Sequence, residues 1–191
     1  NAFKNGEDIH KEVASKVFDV PFDEVTKEQR SKAKAVNFGI VYGITSFGLS
    51  QQLDTTRKES QEYIDNYLKK YSGVKEYMDE QVKNAQNNGF VTTLFGRKRY
   101  IPELKSKNYM VREFGKRVAM NSPIQGTAAD IIKIAMNKVY TALKKEYPES
   151  KLILQVHDEL LFEVPEEEIE PIKALIKEKM ESAVKTKVPL I

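Results

Sequence analysis

Apolar residues recur at helical spacing along the first part of the chain. Across residues 6–18 they fall three or four positions apart, which predicts a helix that Pro21 ends. Thr26, followed three residues later by Gln29, has the pattern of a capping box and predicts a second helix over Lys27–Tyr42. Two more predicted helices cover residues 57–70 and 74–87.

The period then changes from helical to alternating. Residues 90–94 are β-branched and aromatic, and with the turn at Gly96 they predict a short hairpin. A second hairpin is predicted from two apolar runs on either side of a His-Asp-Glu turn at residues 157–159. The pattern indicates an α+β fold, mostly helical with a small antiparallel hairpin flanked by helices. The other predicted elements are helices over residues 108–121 and 127–147, interrupted at Pro123, strands over residues 151–156 and 160–164, and a final helix that starts at Pro165.

The amino-acid composition excludes several classes of protein and of functional site. The 191 residues include no cysteine, which excludes disulfides, thiolate zinc sites and cysteine nucleophiles and fits an intracellular setting. No apolar run approaches the ~20 residues that span a bilayer, so we expect no membrane partner. The net charge is only +3, but the stretch from Leu94 to Arg117 carries eight basic residues against two acidic ones. A basic block in a near-neutral chain is typical of a protein that binds a phosphate backbone, and also of a solvated lysine-rich surface.

The second predicted helix carries two cations and two aromatic residues on one face. Arg30, Lys34, Phe38 and Tyr42 are each four residues apart, so their side chains lie one turn above another. Cations can hold a triphosphate, and flat rings can pack on a sugar or a base. The alternative is an amphipathic helix whose aromatic rings pack inward while its cations are solvated.

Two further groups of residues carry possible chemistry. Asp158 and Glu159 are neighbouring carboxylates at a turn, an arrangement that suits a hard cation such as Mg²⁺ and also an ordinary solvated turn. Arg117, Asn121 and Gln125 stand at four-residue spacing and could donate to the minor-groove acceptors of a duplex. The alternative is that they cap helices and form hydrogen bonds between helices around Pro123.

Together these segments closely resemble family A DNA polymerases. Residues 30–43 are similar to the family's fingers helix, residues 155–160 to its second metal-binding motif, and residues 117–130 to its duplex-contacting helix. The resemblance implies a partial right-hand polymerase fold. Residues 1–89 would belong to the fingers, and residues 90–191 to the rest of the fingers and an incomplete palm that carries the catalytic hairpin, without a thumb.

The resemblance also implies roles at a nucleotide site. Arg30 and Lys34 would contact the phosphates of an incoming deoxynucleoside triphosphate, and Lys34 would protonate the departing pyrophosphate. His10 falls where the family has a phosphate-contacting histidine. Phe38 would pack on the sugar and base, and Tyr42 would lie beside the templating base.

For catalysis and DNA binding, the resemblance implies that Asp158 binds the catalytic Mg²⁺ ions. Glu159 would be an auxiliary acid, and His157 would touch the primer end. The primer 3′-hydroxyl would attack the α-phosphate in line, with two metal ions holding the entering and leaving oxygens. The residues that would contact the template–primer duplex are Arg117, Asn121 and Gln125.

The family is longer than 191 residues, which leads to three expectations. Its first catalytic aspartate should lie before Asn1, so we expect this chain alone to be inactive. The second hairpin should have an unpaired edge and an uncovered apolar face, which favours self-association, packing against its own helices, or a second chain that supplies the rest. The parent would be a bacterial, cytoplasmic, nucleoid-associated enzyme. The alternatives are a non-catalytic duplex-binding module and a metal nuclease, although we find no further carboxylate cluster to complete a nuclease site.

Overall fold

The computed structural model describes residues 6–190, which are mostly helical with two small antiparallel sheets. The predicted α+β class is confirmed. The chain forms two compact units, Asn1–Ile124 and Gln125–Ile191. In chain order the elements are α1 (Ile9–Phe18), α2 (Lys27–Val41), α3 (Ser46–Leu53), α4 (Arg57–Lys70), α5 (Ser72–Asn88), β1 (Phe90–Thr92), β2 (Lys98–Tyr100), α6 (Tyr109–Glu146), β3 (Lys151–Val156), β4 (Glu159–Glu163) and α7 (Ile169–Glu181), with single 3₁₀ turns at Phe22–Glu24, Pro102–Lys105 and Glu166–Glu168.

The division between the compact units falls after Ile124, inside α6. The boundary predicted at residues 89 and 90 concerns subdomains of a complete polymerase, and it stays a prediction.

Side-chain caps determine where α1 and α2 begin. Asp8 is the N-cap of α1 and accepts a hydrogen bond from the Lys11 amide at 3.1 Å, so α1 begins later than predicted. At the start of α2, Thr26 Oγ1 accepts from the Gln29 amide at 3.1 Å, and Gln29 Oε1 accepts from the Thr26 amide at 2.9 Å. The predicted capping box is confirmed.

The core of the first unit holds α2 with one face inward. Val36 and Ile40 of α2 are buried in the same apolar cluster as Val13 of α1, Leu49 of α3 and Tyr67 of α4. Burial of a side chain of this size contributes about 1.5–3 kcal/mol. The inward face is therefore strongly fixed, and the opposite face of α2 points outward.

Helix α3 was not predicted from the sequence. Its eight residues include Gly48, two serines and two glutamines, so the apolar period is too short to recognise. Thr45 caps the helix by accepting a hydrogen bond from the Gly48 amide at 3.2 Å. Leu49 and Leu53 are buried, and this packing stabilises a helix whose own propensity is weak.

The first hairpin is confirmed as β1 and β2, with Val91 paired to Arg99. Buried Thr93 organises its loop, because Thr93 Oγ1 accepts hydrogen bonds from the amides of Phe95 and Arg97 at 3.3 and 3.2 Å. Val91 is buried in a small cluster with Ala85 and Ile101.

The predicted interruption at Pro123 is wrong. α6 runs for 38 residues without a break, and Pro123 lies inside it. Proline fixes φ at a helical value, but inside a helix it removes one N–H donor and its ring clashes with the carbonyl of residue i−4, at a cost of about 3 kcal/mol. Ala119 before it and Val139 after it are buried, and this packing stabilises the helix against that cost. Pro123 is itself buried, and this packing offsets part of its cost.

The second unit packs α6 and α7 against the hairpin of β3 and β4. Val139, Leu143 and Ile172 form the buried centre, with Phe162 of β4 partly buried against them. The final helix begins at Ile169 rather than at Pro165, because a 3₁₀ turn comes between them.

The outer side of the second hairpin is apolar and exposed. Leu154 pairs with Leu161, and these side chains are 52% and 57% exposed, with Val156 exposed near them. The pairing is irregular between Leu152 and Leu154. Within residues 6–190, β3 and β4 have only each other as partners, so each has an unpaired edge. No helix in the same range is both long and apolar enough to cross a membrane.

Candidate nucleotide and nucleic-acid site

The outward face of α2 carries the four residues singled out from its spacing. Arg30, Lys34, Phe38 and Tyr42 are all exposed, with Phe38 at 48% and Tyr42 at 45%. The alternative in which the aromatic rings pack into the core is therefore wrong. Large exposed aromatic side chains beside cations are available to a ligand.

The aromatic half of this face is ordered. The rings of Phe38 and Tyr42 are stacked, with 6.3 Å between their centres and an angle of 18° between their planes. The Lys34 ammonium lies 6.0 Å from the centre of the Phe38 ring, at the outer limit of a cation–π contact. These contacts arrange one cation and two rings in a row along the helix.

Arg30 is bonded to a carboxylate that the sequence reasoning missed. Its Nε donates to Asp8 Oδ2 at 2.6 Å, so the bond joins α2 to the start of α1. The hydrogen bonds from Arg30 and from the Lys11 amide lower the pKa of Asp8. Asp8 thus caps α1 and holds Arg30 in place. A contact across 22 residues leaves no periodic signal, although an Asp before a helix does suggest a cap.

His10 lies beside the same face. Its ring centre is 5.8 Å from that of Phe38, and its Nδ1 is 3.1 Å from the side-chain amide nitrogen of Asn37. Burial lowers the pKa of His10, and the cations of Arg30 and Lys34 lower it further against an opposing effect of Asp8. The structure therefore brings His10 together with the four residues of α2.

The turn after α2 packs tightly on α6. Gly43 has a left-handed backbone with φ of 74°, and a Cβ placed on it would lie 2.7 Å from Met120 Cε and 3.0 Å from Arg117 Cγ. Asn121 Nδ2 donates to the Tyr42 carbonyl at 3.5 Å. Gly43, Met120 and Arg117 line a cavity of about 510 Å³ together with residues of α5.

The three polar residues of α6 differ in exposure. Arg117 and Asn121 are half-buried, whereas Gln125 is exposed. The Arg117 guanidinium lies 5.9 Å from the centre of the Phe114 ring. Asn121 Oδ1 is buried and has no hydrogen-bond partner in the part of the chain that the structure describes. The alternative of hydrogen bonding between helices fits Asn121 in part, because its side-chain amide donates to a carbonyl in the turn after α2.

The carboxylate hairpin differs in one detail from its prediction. His157 and Asp158 form the turn, while Glu159 is the first residue of β4 and pairs with Val156, so the predicted three-residue turn is corrected to two. His157 has a left-handed φ of 53°, uncommon for a residue other than glycine, and Gln155 Nε2 donates to its carbonyl at 2.8 Å. The side chains of His157, Asp158 and Glu159 are all exposed.

Within the described residues, acidic and imidazole groups do not cluster into a complete metal site. Across residues 6–190 there is no group of three or more His, Cys, Asp or Glu side chains placed to hold a metal ion. Asp158 and Glu159 offer oxygen ligands of the kind that Mg²⁺ prefers, and one or two carboxylates suit an ion whose other positions are filled by waters and substrate phosphates.

The α2 face, with two cations followed by two stacked rings, offers groups that can bind phosphates and bases, and the exposed carboxylate turn offers oxygen ligands for a hard cation. The model of DNA polymerase family A matches residues 1–191. The chain belongs to DNA polymerase family A.

Individual relatives agree with this family. The chain is 56% identical to DNA polymerase I of Caldicellulosiruptor bescii over 191 residues, and 55% identical to DNA polymerase I of Bacillus subtilis over 189 residues. These matches cover 100% and 99% of the chain but only 22% of each relative.

A solved structure is also similar. The POL domain of Pol1 from M. smegmatis, in complex with DNA primer-template and dNTP, superposes with a TM-score of 0.93 at 46% identity. The match covers 100% of this chain and 34% of that one.

Proposed function

We propose that the chain is the nucleotide-binding and duplex-binding part of a template-directed DNA polymerase that adds deoxynucleotides to a primer 3′ end. The observation that carries the proposal is the exposure of Arg30, Lys34, Phe38 and Tyr42 on one face of α2. Family membership supports it, as does a similar protein whose structure contains DNA primer-template and dNTP.

The α2 face binds the incoming deoxynucleoside triphosphate in this proposal. Arg30 and Lys34 hold the phosphates, because guanidinium and ammonium groups form short charge-assisted hydrogen bonds to phosphate oxygens. The bond to Asp8 uses one of the five N–H donors of Arg30. Phe38 and Tyr42 contact the sugar and base, and Lys34 gives its proton to the departing pyrophosphate.

Asp158 is the proposed ligand of Mg²⁺. Its exposed carboxylate stands on a turn between two paired strands, and its oxygens fit a hard cation that keeps waters and takes substrate phosphates. When bound, the metal ions would neutralise the negative charge that develops on the entering and leaving oxygens. Glu159 is an auxiliary acid, and His157 contacts the primer end.

Arg117, Asn121 and Gln125 contact the template–primer duplex in the proposal. Their donors would bond minor-groove acceptors, which lie at similar positions in every base pair. Residues 1–89 then belong to the fingers, and residues 90–191 to the remaining fingers and part of the palm. We also propose that the parent enzyme works in the bacterial cytoplasm, at the nucleoid.

The 191 residues alone are proposed to be inactive, because they span 22% of the length of their relatives. The apolar outer side of the second hairpin is proposed to mediate self-association of the isolated chain. In a complete enzyme it would be covered, as exposed apolar strands with free edges usually are.

The test is a chimaera in which this chain replaces the matching segment of Caldicellulosiruptor bescii DNA polymerase I. The chimaera is expected to extend a primer, and Asp158→Ala to reduce extension about a thousandfold, since a metal clamp contributes several kcal/mol and each ~1.36 kcal/mol is tenfold. Glu166→Ala, an exposed acid of the same unit, is the control.

Primer–template affinity separates this proposal from a duplex-binding module. We expect Asp158→Ala to bind DNA almost as tightly as the unsubstituted chimaera. A folded chimaera that binds primer–template and does not extend it, or that extends it equally well after Asp158→Ala, would contradict the polymerase proposal. Extension by the isolated chain would contradict its inactivity.

A further inference from the structure

Asn37 occupies an unusual position for a polar residue of α2. It lies between the buried and exposed faces, and its Nδ2 is 3.1 Å from Nδ1 of His10 on α1. Its other amide atom, Oδ1, is buried and has no hydrogen-bond partner among residues 6–190. An orphaned buried acceptor is costly and calls for a reason, and the bond to His10 is the one polar contact that the described residues give this side chain.

The protonation of His10 follows from its surroundings. Burial and the cations of Arg30 and Lys34 disfavour the charged ring and lower the pKa of His10, and the Asp8 carboxylate opposes them. The ring is therefore neutral at pH 7 and carries a single N–H. Which nitrogen holds that proton depends on the hydrogen bond that the other nitrogen makes.

An amide N–H facing Nδ1 makes that nitrogen an acceptor. The proton then belongs on Nε2, which becomes a donor. A donor at this position can bond a phosphate oxygen next to Arg30 and Lys34. The opposite tautomer would present a lone pair from Nε2, and a lone pair repels phosphate oxygens.

We propose that Asn37 is a positioning residue that holds His10 in the Nε2–H tautomer, so that Nε2 donates to an oxygen of the bound nucleoside triphosphate. The triphosphate site itself rests on the proposed function. The hydrogen bond between Asn37 and His10 does not, since it exists in the chain without ligand.

The first experiment measures the tautomer without any activity. Long-range ¹H–¹⁵N correlation spectra of the ¹⁵N-labelled chain suit this question, because the protein has only two histidines, and His157→Gln leaves one. We expect Nδ1 to be unprotonated and Nε2 to carry the proton above the pKa of His10. With Asn37→Asp, the carboxylate should draw the proton to Nδ1 and raise the pKa of His10.

Asn66→Asp is the matched control, because it introduces the same charge at an exposed position of α4. It should leave the His10 spectrum unchanged. A proton on Nδ1 in the unsubstituted chain, or an unchanged tautomer and pKa after Asn37→Asp, would overturn the proposal.

The second experiment uses the chimaera and tests the purpose of the tautomer. We expect Asn37→Asp to raise KM for the deoxynucleoside triphosphate about tenfold and to change kcat less. In a His10→Gln background, where the amide has no tautomers, Asn37→Asp should raise KM much less. An equal rise in both backgrounds would mean that the introduced carboxylate acts on the triphosphate by its charge alone, and would overturn the proposal. A folded chimaera without polymerase activity but with the expected tautomer would contradict the proposed function instead.

Discussion

Replacing Gly43 by alanine tests the packing of the turn that follows α2. Two costs are expected. A left-handed backbone disfavours any residue with a Cβ by about 1–2 kcal/mol. The new Cβ would also lie 2.7 Å from Met120 Cε and 3.0 Å from Arg117 Cγ. The methionine tip can move into the adjoining cavity, but the Arg117 stem must shift, so we expect the lower end of the roughly 1–3 kcal/mol range for overpacking.

Gly89 supplies a matched control in the same unit. It ends α5 with φ of 80°, close to the 74° of Gly43. A Cβ placed on it would have no atom of the described residues within 4 Å apart from its chain neighbours. Gly89→Ala therefore carries the backbone cost alone. We expect Gly43→Ala to destabilise the first unit by about 2–3 kcal/mol and Gly89→Ala by about 1–2 kcal/mol.

Urea denaturation followed by circular dichroism would measure both free energies of unfolding. If the m-values are equal, the difference in midpoint reports the steric cost alone. A loss of stability for Gly43→Ala no larger than that for Gly89→Ala would refute the tight packing between this turn and α6.

Three other outcomes are expected. Asp8→Asn keeps the cap of α1 but loses the ion pair with Arg30, so it should be less stable than the unsubstituted protein at pH 7. Because the folded-state pKa of Asp8 is lowered, this stability advantage should disappear as the pH falls below the ordinary pKa of 3.8. Equal stabilities at pH 7 would contradict the role of the pair. Leu161→Lys should leave the unfolding free energy almost unchanged and reduce self-association in sedimentation velocity, whereas a compact monomer before substitution would refute the association. Removing Mg²⁺ with a chelator should abolish extension by the chimaera and leave the unfolding midpoint of the isolated chain unchanged; a lower midpoint would show a structural metal.

Features with a local cause were predictable from the sequence. The capping box at Thr26 depends on two residues of one turn, and the face of Arg30 and Tyr42 follows from four-residue spacing. The continuous helix through Pro123 was not predictable in this way, because packing on either side decides whether a helix survives a lost hydrogen bond. Helix α3 was missed for the same reason, since its buried leucines stabilise it through contacts with other helices.

The site itself was predicted only in part. Its charged and aromatic residues share one segment, so spacing or family resemblance finds them. Asp8 and Asn37 act across helices, on Arg30 and His10, and nothing in a single segment indicates either contact. Glu159 was placed in a turn because residue type alone does not show where strand pairing stops.

The bond between Asp8 and Arg30 has a consequence for which solutes can occupy this part of the protein. A chloride or acetate ion can engage donors of Arg30 that the 2.6 Å bond to Asp8 does not use, but the Asp8 carboxylate repels it. A chain of several phosphate groups can engage the remaining donors of Arg30 and the Lys34 ammonium at once. We therefore expect Asp8 to weaken the binding of small singly charged anions at this face of α2 more than that of a polyphosphate.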